Sequence, residues 1–382
     1  MHCSYCPFVV TTKVQQQDRY TDALLREIDA RAPGTAGMSA VERVDTIFFG
    51  GGTPSRTSIE NLTRIVARLR ERFDVGDGAE FSLEANPEDI TPDTLAAWRA
   101  LGVNRVSIGV QSFHDAELRP LGRVHGPQRA RDSIRDALAS GARTSLDLIL
   151  GLPYQTAESF RVTLDIAINS GAGHISLYML DLEEGTTLKR QVESGQVALP
   201  DDELVASLYA EAVERLGAAG LHQYEISNFG DPCRHNLRYW RREEYLGFGA
   251  GAHSFVENRR FANTKNVEHY IDAFVTPSVS EGPGGAGGAP PMSPDPSLRL
   301  GMTAVEFVET LTDADVRRET IFLRLRQTSG IDYDDVVRLC GAGGTEWIER
   351  GLSDGWLRRA GARVAFTSAG FLLSNDYISQ LF

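Results

Sequence analysis

Cys3-Ser4-Tyr5-Cys6 sets two thiols three positions apart. In a reducing compartment that spacing points to a metal or redox pair, with an incidental pair as the plain alternative. Phe48-Phe49-Gly50-Gly51-Gly52-Thr53-Pro54-Ser55 follows an apolar run. Three glycines let the backbone approach a ligand and expose several N–H donors in a small arc, although a tight turn needs no ligand to explain it. The sequence is neither G-x-G-x-x-G nor a P-loop. Further polar residues fall near the ends of later apolar runs: Glu84, Gln111, and Asp147 inside Ser145–Leu150, with Arg123 in Leu121-Gly122-Arg123. A carboxylate in such a run must be paired or functional, because burying it alone is costly. Arg123 suits either that carboxylate or one on a ligand. Singly each residue has a bland reading as a cap or loop residue. Together they suggest one ligand carrying amine, hydroxyl and carboxylate groups.

The elements that must position these residues follow from about residue 43. Short β-rich runs at Val44–Phe49, Glu80–Glu84, Arg105–Val110, Ser145–Leu150, His174–Leu180 and Gln223–Ile226 alternate with helical spacing at Ser58–Phe73, Pro92–Leu101, Pro127–Ser140, Ala157–Ser170 and Asp201–Ala219. Thr91-Pro92 and Pro200-Asp201 mark helix starts, and Gly102, Gly141, Gly171 and Gly220 mark helix ends. Repeated strand, loop and helix predict an α/β barrel or a doubly wound sheet. In a barrel the polar strand ends would meet at the C-terminal face. Residues 276–300 are rich in Gly and Pro and read as a linker between a domain at 1–275 and another at 301–382. The latter shows helical segments at Asp313–Gln327, Tyr333–Leu339 and Glu346–Ser353, then a short hairpin. That order predicts a small winged-helix-like α+β domain.

The chain has 382 residues, a soft prior of two to three domains. Its net charge of −13 argues against a nucleic-acid partner. No run of 18 apolar residues predicts a membrane span, and no signal peptide is legible, so a cytoplasmic location is expected. Four cysteines in this length do not make a secreted disulfide scaffold. Cys340 lies beside an apolar helix and reads as a small core residue.

Cys-x-x-Cys, FFGGGTPS, EANPEDI, RVSIGVQSF, LGRVH and DLILGLP, in that order, resemble the radical S-adenosylmethionine (SAM) enzymes. More narrowly they resemble the family of the oxygen-independent coproporphyrinogen III oxidase and its haem-chaperone relatives. The resemblance implies an incomplete TIM-type (β/α)6 barrel with a C-terminal helical domain. It also implies a [4Fe–4S] cluster held by C-x-x-x-C-x-x-C, which receives an electron from a donor and cleaves SAM to methionine and a 5′-deoxyadenosyl radical. Cys3 and Cys6 would be the second and third cluster ligands, with Tyr5 the aromatic beside them. Gly51, Gly52 and Thr53 would meet the amino-acid part of SAM, and Glu84, Gln111, Arg123 and Asp147 its remaining polar groups. The pattern's first cysteine would stand four residues before Cys3, upstream of Met1. The expectation is an internal start in a longer reading frame.

Two features lean toward the chaperone branch. Phe8 stands where the oxidase has a further cysteine, and Cys233-Arg234-His235-Asn236-Leu237-Arg238-Tyr239-Trp240 matches the chaperone's H-N-x-x-Y-W motif. The resemblance implies His235 as a haem ligand or near neighbour, with Tyr239 and Trp240 as aromatic surface. Arg234, Arg238, Arg241 and Arg242 form a basic cluster suited to propionates, Cys233 reads as incidental, and His253 on Gly249-Ala250-Gly251-Ala252-His253 is a secondary candidate. The implied function is binding of haem and its delivery to acceptor proteins. A coproporphyrinogen oxidase and a cluster-free haem carrier are the alternatives.

Overall fold

The computed structural model describes residues 3–7, 9, 14–32, 43–275 and 304–382. Phe8 and the expected linker at 276–300 lie outside the described residues. A six-stranded sheet forms the scaffold: β1 (Val44–Phe49), β2 (Val75–Ala85), β3 (Arg105–Gln111), β4 (Arg143–Leu150), β5 (His174–Met179) and β6 (Asn228–Gly230), side by side in chain order. The first five are parallel, and β6 runs antiparallel to β5. This is the expected α/β half-barrel.

Each inner strand alternates. Phe81, Leu83, Val106, Ile108, Leu146, Leu148, Ile175 and Leu177 are buried in a core shared with Leu62, Val66, Leu95, Trp98, Ile134, Phe160 and Leu164 on the surrounding helices. The opposite positions are polar: Glu80, Ser82 and Glu84 on β2, Ser107 on β3, Ser145 and Asp147 on β4, His174 and Ser176 on β5. A parallel sheet covered by helices on both faces would be apolar on both. Here one face is apolar and the other polar.

The helices start as their caps dictate. Ser58, Thr91, Thr156, Asp201 and Thr312 each accept a backbone N–H of the first turn through the side chain. Gly102 closes the Pro92–Leu101 helix in the left-handed region, φ +106°.

Two expectations need correction, and one element went unread. The sixth strand is Asn228–Gly230 rather than Gln223–Ile226, because the latter turns back to make single bridges, Gln223 to Phe229 and Glu225 to Gln327. β2 begins at Val75, five residues before its apolar run, since the backbone pairing with β1 already starts there. A polar amphipathic helix, Gln17–Ala30, precedes β1 and was not legible as such; it buries Ala23, Leu24, Glu27 and Ile28.

Beyond the barrel, β7 (His253–Val256), β8 (Arg259–Asn263) and β9 (Val305–Thr310) form a second, antiparallel sheet. Helices Asp313–Leu325, Tyr333–Cys340 and Ala342–Ser353 are followed by the hairpin β11 (Leu357–Ala360) and β12 (Arg363–Phe366), which β10 (Ile331–Asp332) completes. This is the expected winged-helix-like arrangement. Its core, with Ile321, Trp347, Phe366 and Tyr377, is continuous with the barrel core, and Cys340 packs at its edge. Ile226 donates its N–H to Arg326 O at 2.9 Å, and Thr328 to Tyr224 O at 3.1 Å, so backbone bonds cross between the two. Among the described residues no helix is long and apolar enough to cross a membrane.

Candidate functional site

The Cys3–Cys6 turn closes by a Cys6 N–H to Cys3 O bond of 3.3 Å. Ser4 donates its N–H to Leu121 O at 3.0 Å and accepts that of Leu188 at 2.9 Å, so the turn is stitched to the loop after β3 and to the Thr187–Glu193 helix. Tyr5 packs against Leu121, Ile149, Leu152 and Leu188. Its hydroxyl accepts from Arg123 Nη2 at 2.9 Å. Burial, with a smaller push from Cys3 and Cys6, raises the Tyr5 phenol to about 12 despite Arg123. Burial alone would lower Arg123, but Tyr5, Cys3 and Glu88 outweigh it and hold the guanidinium above its usual value. Arg123 also donates Nη1 to Asn86 Oδ1 at 2.6 Å, while its buried Nε has no hydrogen-bond partner among the described residues.

The glycine loop follows β1, two strands away. Gly51, at φ +100°, donates its N–H to Glu84 Oε2 at 3.1 Å. A Cβ built on Gly51 would meet nothing within 4 Å, so the loop opens onto space. Thr53 turns its hydroxyl back to Gly52 O at 2.6 Å. Burial first, and then the neighbouring Asp147, raise the Glu84 carboxyl to about 7 against the Gly51 N–H. Asp147 accepts from Ser107 Oγ at 3.0 Å, and burial raises it too, opposed by Ser176, Ser107, Arg123 and Arg105. Gln111 is buried at the bulge that ends β3, with φ +64°, a conformation that a non-glycine residue adopts only under constraint.

Tyr5, Gly51, Gly52, Thr53, Glu84, Gln111, Arg123 and Asp147 thus share the C-terminal end of one half-barrel. Two carboxylates, one guanidinium and an open glycine loop would suit the amine, carboxylate and hydroxyls of SAM. Among the described residues no group of three or more His, Cys, Asp or Glu side chains converges on a common point.

His235 lies on the short Arg234–Trp240 helix, packed against β1. Its Nδ1 is 2.9 Å from Thr46 Oγ1 and its Nε2 2.8 Å from Tyr239 Oη. The ring stacks on Phe48 with centroids 5.1 Å apart and planes 15° apart, and meets Tyr239 edge-on. Burial lowers the imidazole to about 4, so it is neutral at pH 7. Glu80 anchors the helix start, accepting His235 N–H at 3.0 Å, Cys233 Sγ–H at 3.3 Å and Arg143 Nη1–H at 2.9 Å. Cys233 is therefore a structural donor.

The basic cluster is not available as expected. Arg234 and Arg238 pair with Asp45, Arg238 and Arg241 with Glu243, and Arg242 with Glu319. Glu243 adjoins the cluster in the sequence, but Asp45 and Glu319 could not be read as partners because they lie far away in the chain. Sequence reasoning also missed Thr46, Phe48, Glu80 and Asn86. Their signal was present: Glu80 and Thr46 occupy the inward register of strands already recognised. His253 is exposed at the start of β7, away from these groups.

The radical SAM superfamily model matches residues 1–167. The heme chaperone HemW of Mycobacterium tuberculosis is 35% identical over 99% of this chain and 91% of that protein. The chain belongs to the HemW family. HemW of Bacillus subtilis is 32% identical over 98% of the chain and 94% of its own length. The structure of coproporphyrinogen III oxidase (HemN) from Escherichia coli matches with a TM-score of 0.80 at 24% identity, covering 100% of this chain and 87% of that one, and agrees in fold. HemW-family membership implies an iron–sulfur cluster and SAM. The cradle described above fits the second of these.

Proposed function

We propose that this HemW-family chain is a haem chaperone that binds haem beside its SAM cradle and passes it to acceptor proteins in the cytoplasm. One observation carries the reading. Phe48 stacks on His235 with one face, while its edge lies 2.4 Å from where a Cβ on Gly50 would stand. The H-N-x-x-Y-W helix is thereby joined to the glycine loop through one side chain, and Glu84 acts electrostatically on Tyr239. His235 supplies the iron ligand, with Tyr239 exposed as porphyrin surface. Gly51, Gly52 and Thr53 take the amino-acid part of SAM; Glu84, Gln111, Arg123 and Asp147 take its other polar groups. Bound SAM supplies the one-electron chemistry of the superfamily, for which an electron donor is needed. Cys3 and Cys6 contribute thiolates to the cluster.

The experiment is haem titration and transfer with the wild-type chain and His235→Ala. Haem binding that weakens in the variant, with transfer to a haem-free acceptor, supports the proposal. Equal affinity in both removes His235 from the site. Vinyl formation from coproporphyrinogen under anaerobic reducing conditions would replace the reading with an oxidase.

A further inference from the structure

His235 is held on three sides, and each contact does something different. A neutral imidazole has one N–H and one lone pair, and which nitrogen carries which is set by its partners. Thr46 Oγ1 lies 2.9 Å from Nδ1 and Tyr239 Oη 2.8 Å from Nε2. A phenol donates well and accepts poorly, because its oxygen lone pair is conjugated into the ring. An aliphatic hydroxyl accepts better. The pairing that uses both groups best has Nδ1–H donating to Thr46 and Tyr239 O–H donating to Nε2. Burial and the neighbouring Tyr245, Cys233 and Glu84 all keep the Tyr239 phenol protonated. Two residues further along β1, Phe48 fixes the plane of the same ring.

We propose that Thr46 is a positioning residue for haem capture, holding His235 as the Nδ1–H tautomer so that Nε2 presents its lone pair under a removable Tyr239 cap. The proposal rests on the haem reading above. On capture, the Fe–Nε2 bond would form as the ferric haem releases a labile axial water, the Tyr239 O–H···Nε2 bond would break, and Tyr239 would keep its proton. No electron moves, and the imidazole neither gains nor loses a proton. Thr46 and Phe48 keep their contacts throughout, so the ring does not have to reorient when the cap leaves. An outer hydrogen bond of this kind fixes the tautomer of histidine ligands and raises their basicity.

The test uses Thr46→Val, which keeps the shape and removes the acceptor, and Thr46→Ser, which restores it. Nitrogen-15 NMR of the haem-free protein reads the His235 tautomer directly. The expected wild-type pattern is Nδ1 protonated and Nε2 bare, lost in T46V and recovered in T46S. Ferric haem titration should show about tenfold weaker binding in T46V, with T46S within about twofold of wild type. An Nε2–H tautomer in the wild-type chain overturns the inference and leaves the haem reading standing. Unchanged tautomer and affinity in T46V overturn it too. Undiminished haem affinity in H235A removes His235 from the haem site and the capture role of Thr46 with it, whatever the tautomer.

Discussion

Gly50-Gly51-Gly52 and Gly249-Ala250-Gly251 read alike in the sequence, and their key glycines share a backbone conformation, φ +100° at Gly51 and +103° at Gly249. Their surroundings differ. Around Gly51 there is room, and one N–H goes to Glu84. Around Gly249 there is none: a Cβ would stand 2.7 Å from Tyr20 Oη. The Gly249 N–H goes to buried Glu27 at 2.7 Å, and the same carboxylate accepts from Tyr270 Oη at 2.5 Å and Asn263 Nδ2 at 2.6 Å and pairs with Arg31 at 2.5 Å. The second loop is glycine-rich so that the Gln17–Ala30 helix can pack against it. The first keeps its amides for something else. A glycine run is thus assigned by what its N–H groups and its missing Cβ face, not by its composition.

Substitution should separate the two loops. The largest effect belongs to the second. Glu27→Ala removes one partner of a buried ion pair, with an expected loss of about 3–5 kcal/mol in urea unfolding and no change in SAM affinity of the folded protein. Glu84→Gln should do the reverse, weakening SAM binding about a hundredfold by calorimetry, the equivalent of about 3 kcal/mol for a charged hydrogen bond. Its stability should rise at pH 8. Glu84 is raised to about 7 in the fold, so the folded chain holds a proton that the unfolded chain has released. That costs stability as pH climbs from the ordinary carboxyl range to about 7, and glutamine abolishes the cost. SAM affinity should correspondingly strengthen from pH 6 to 8 with proton release, and a flat profile would remove Glu84 from the amine. Gly249→Ala should cost about 1–3 kcal/mol in thermal unfolding, from clash and strain together. Gly51→Ala, with strain and no clash, should cost about 1 kcal/mol and act mainly on SAM binding.

Much of the site was legible because it follows strand order. Glu84, Gln111 and Asp147 sit on strands that apolar periodicity reveals, and Gly51 directly follows one. Arg123 could be named but not paired, since Tyr5 and Asn86 reach it from 118 and 37 residues away. The same distance problem hid the Glu27 network, whose members lie up to 243 residues apart. It also hid Asp45 and Glu319, which pair with three of the four arginines read as a basic patch. The sixth strand was misplaced because Gln223–Ile226 has β-forming side chains but spends its backbone bonds on Arg326 and on a turn.

The pairing of β9 with β8 has a consequence for evolution and engineering. The chain leaves the second sheet after Asn263 and returns to the same sheet at Val305, with Arg259 opposite Thr310 and a bulge between Ala262 and Asn263. The stretch between carries the helix Val267–Val275, whose Tyr270, Ile271 and Phe274 are buried and which packs against the Gln17–Ala30 helix. A change of length within that helix would unseat the buried Glu27 carboxylate as well as the sheet, so engineering of this connection has to leave Val267–Val275 intact.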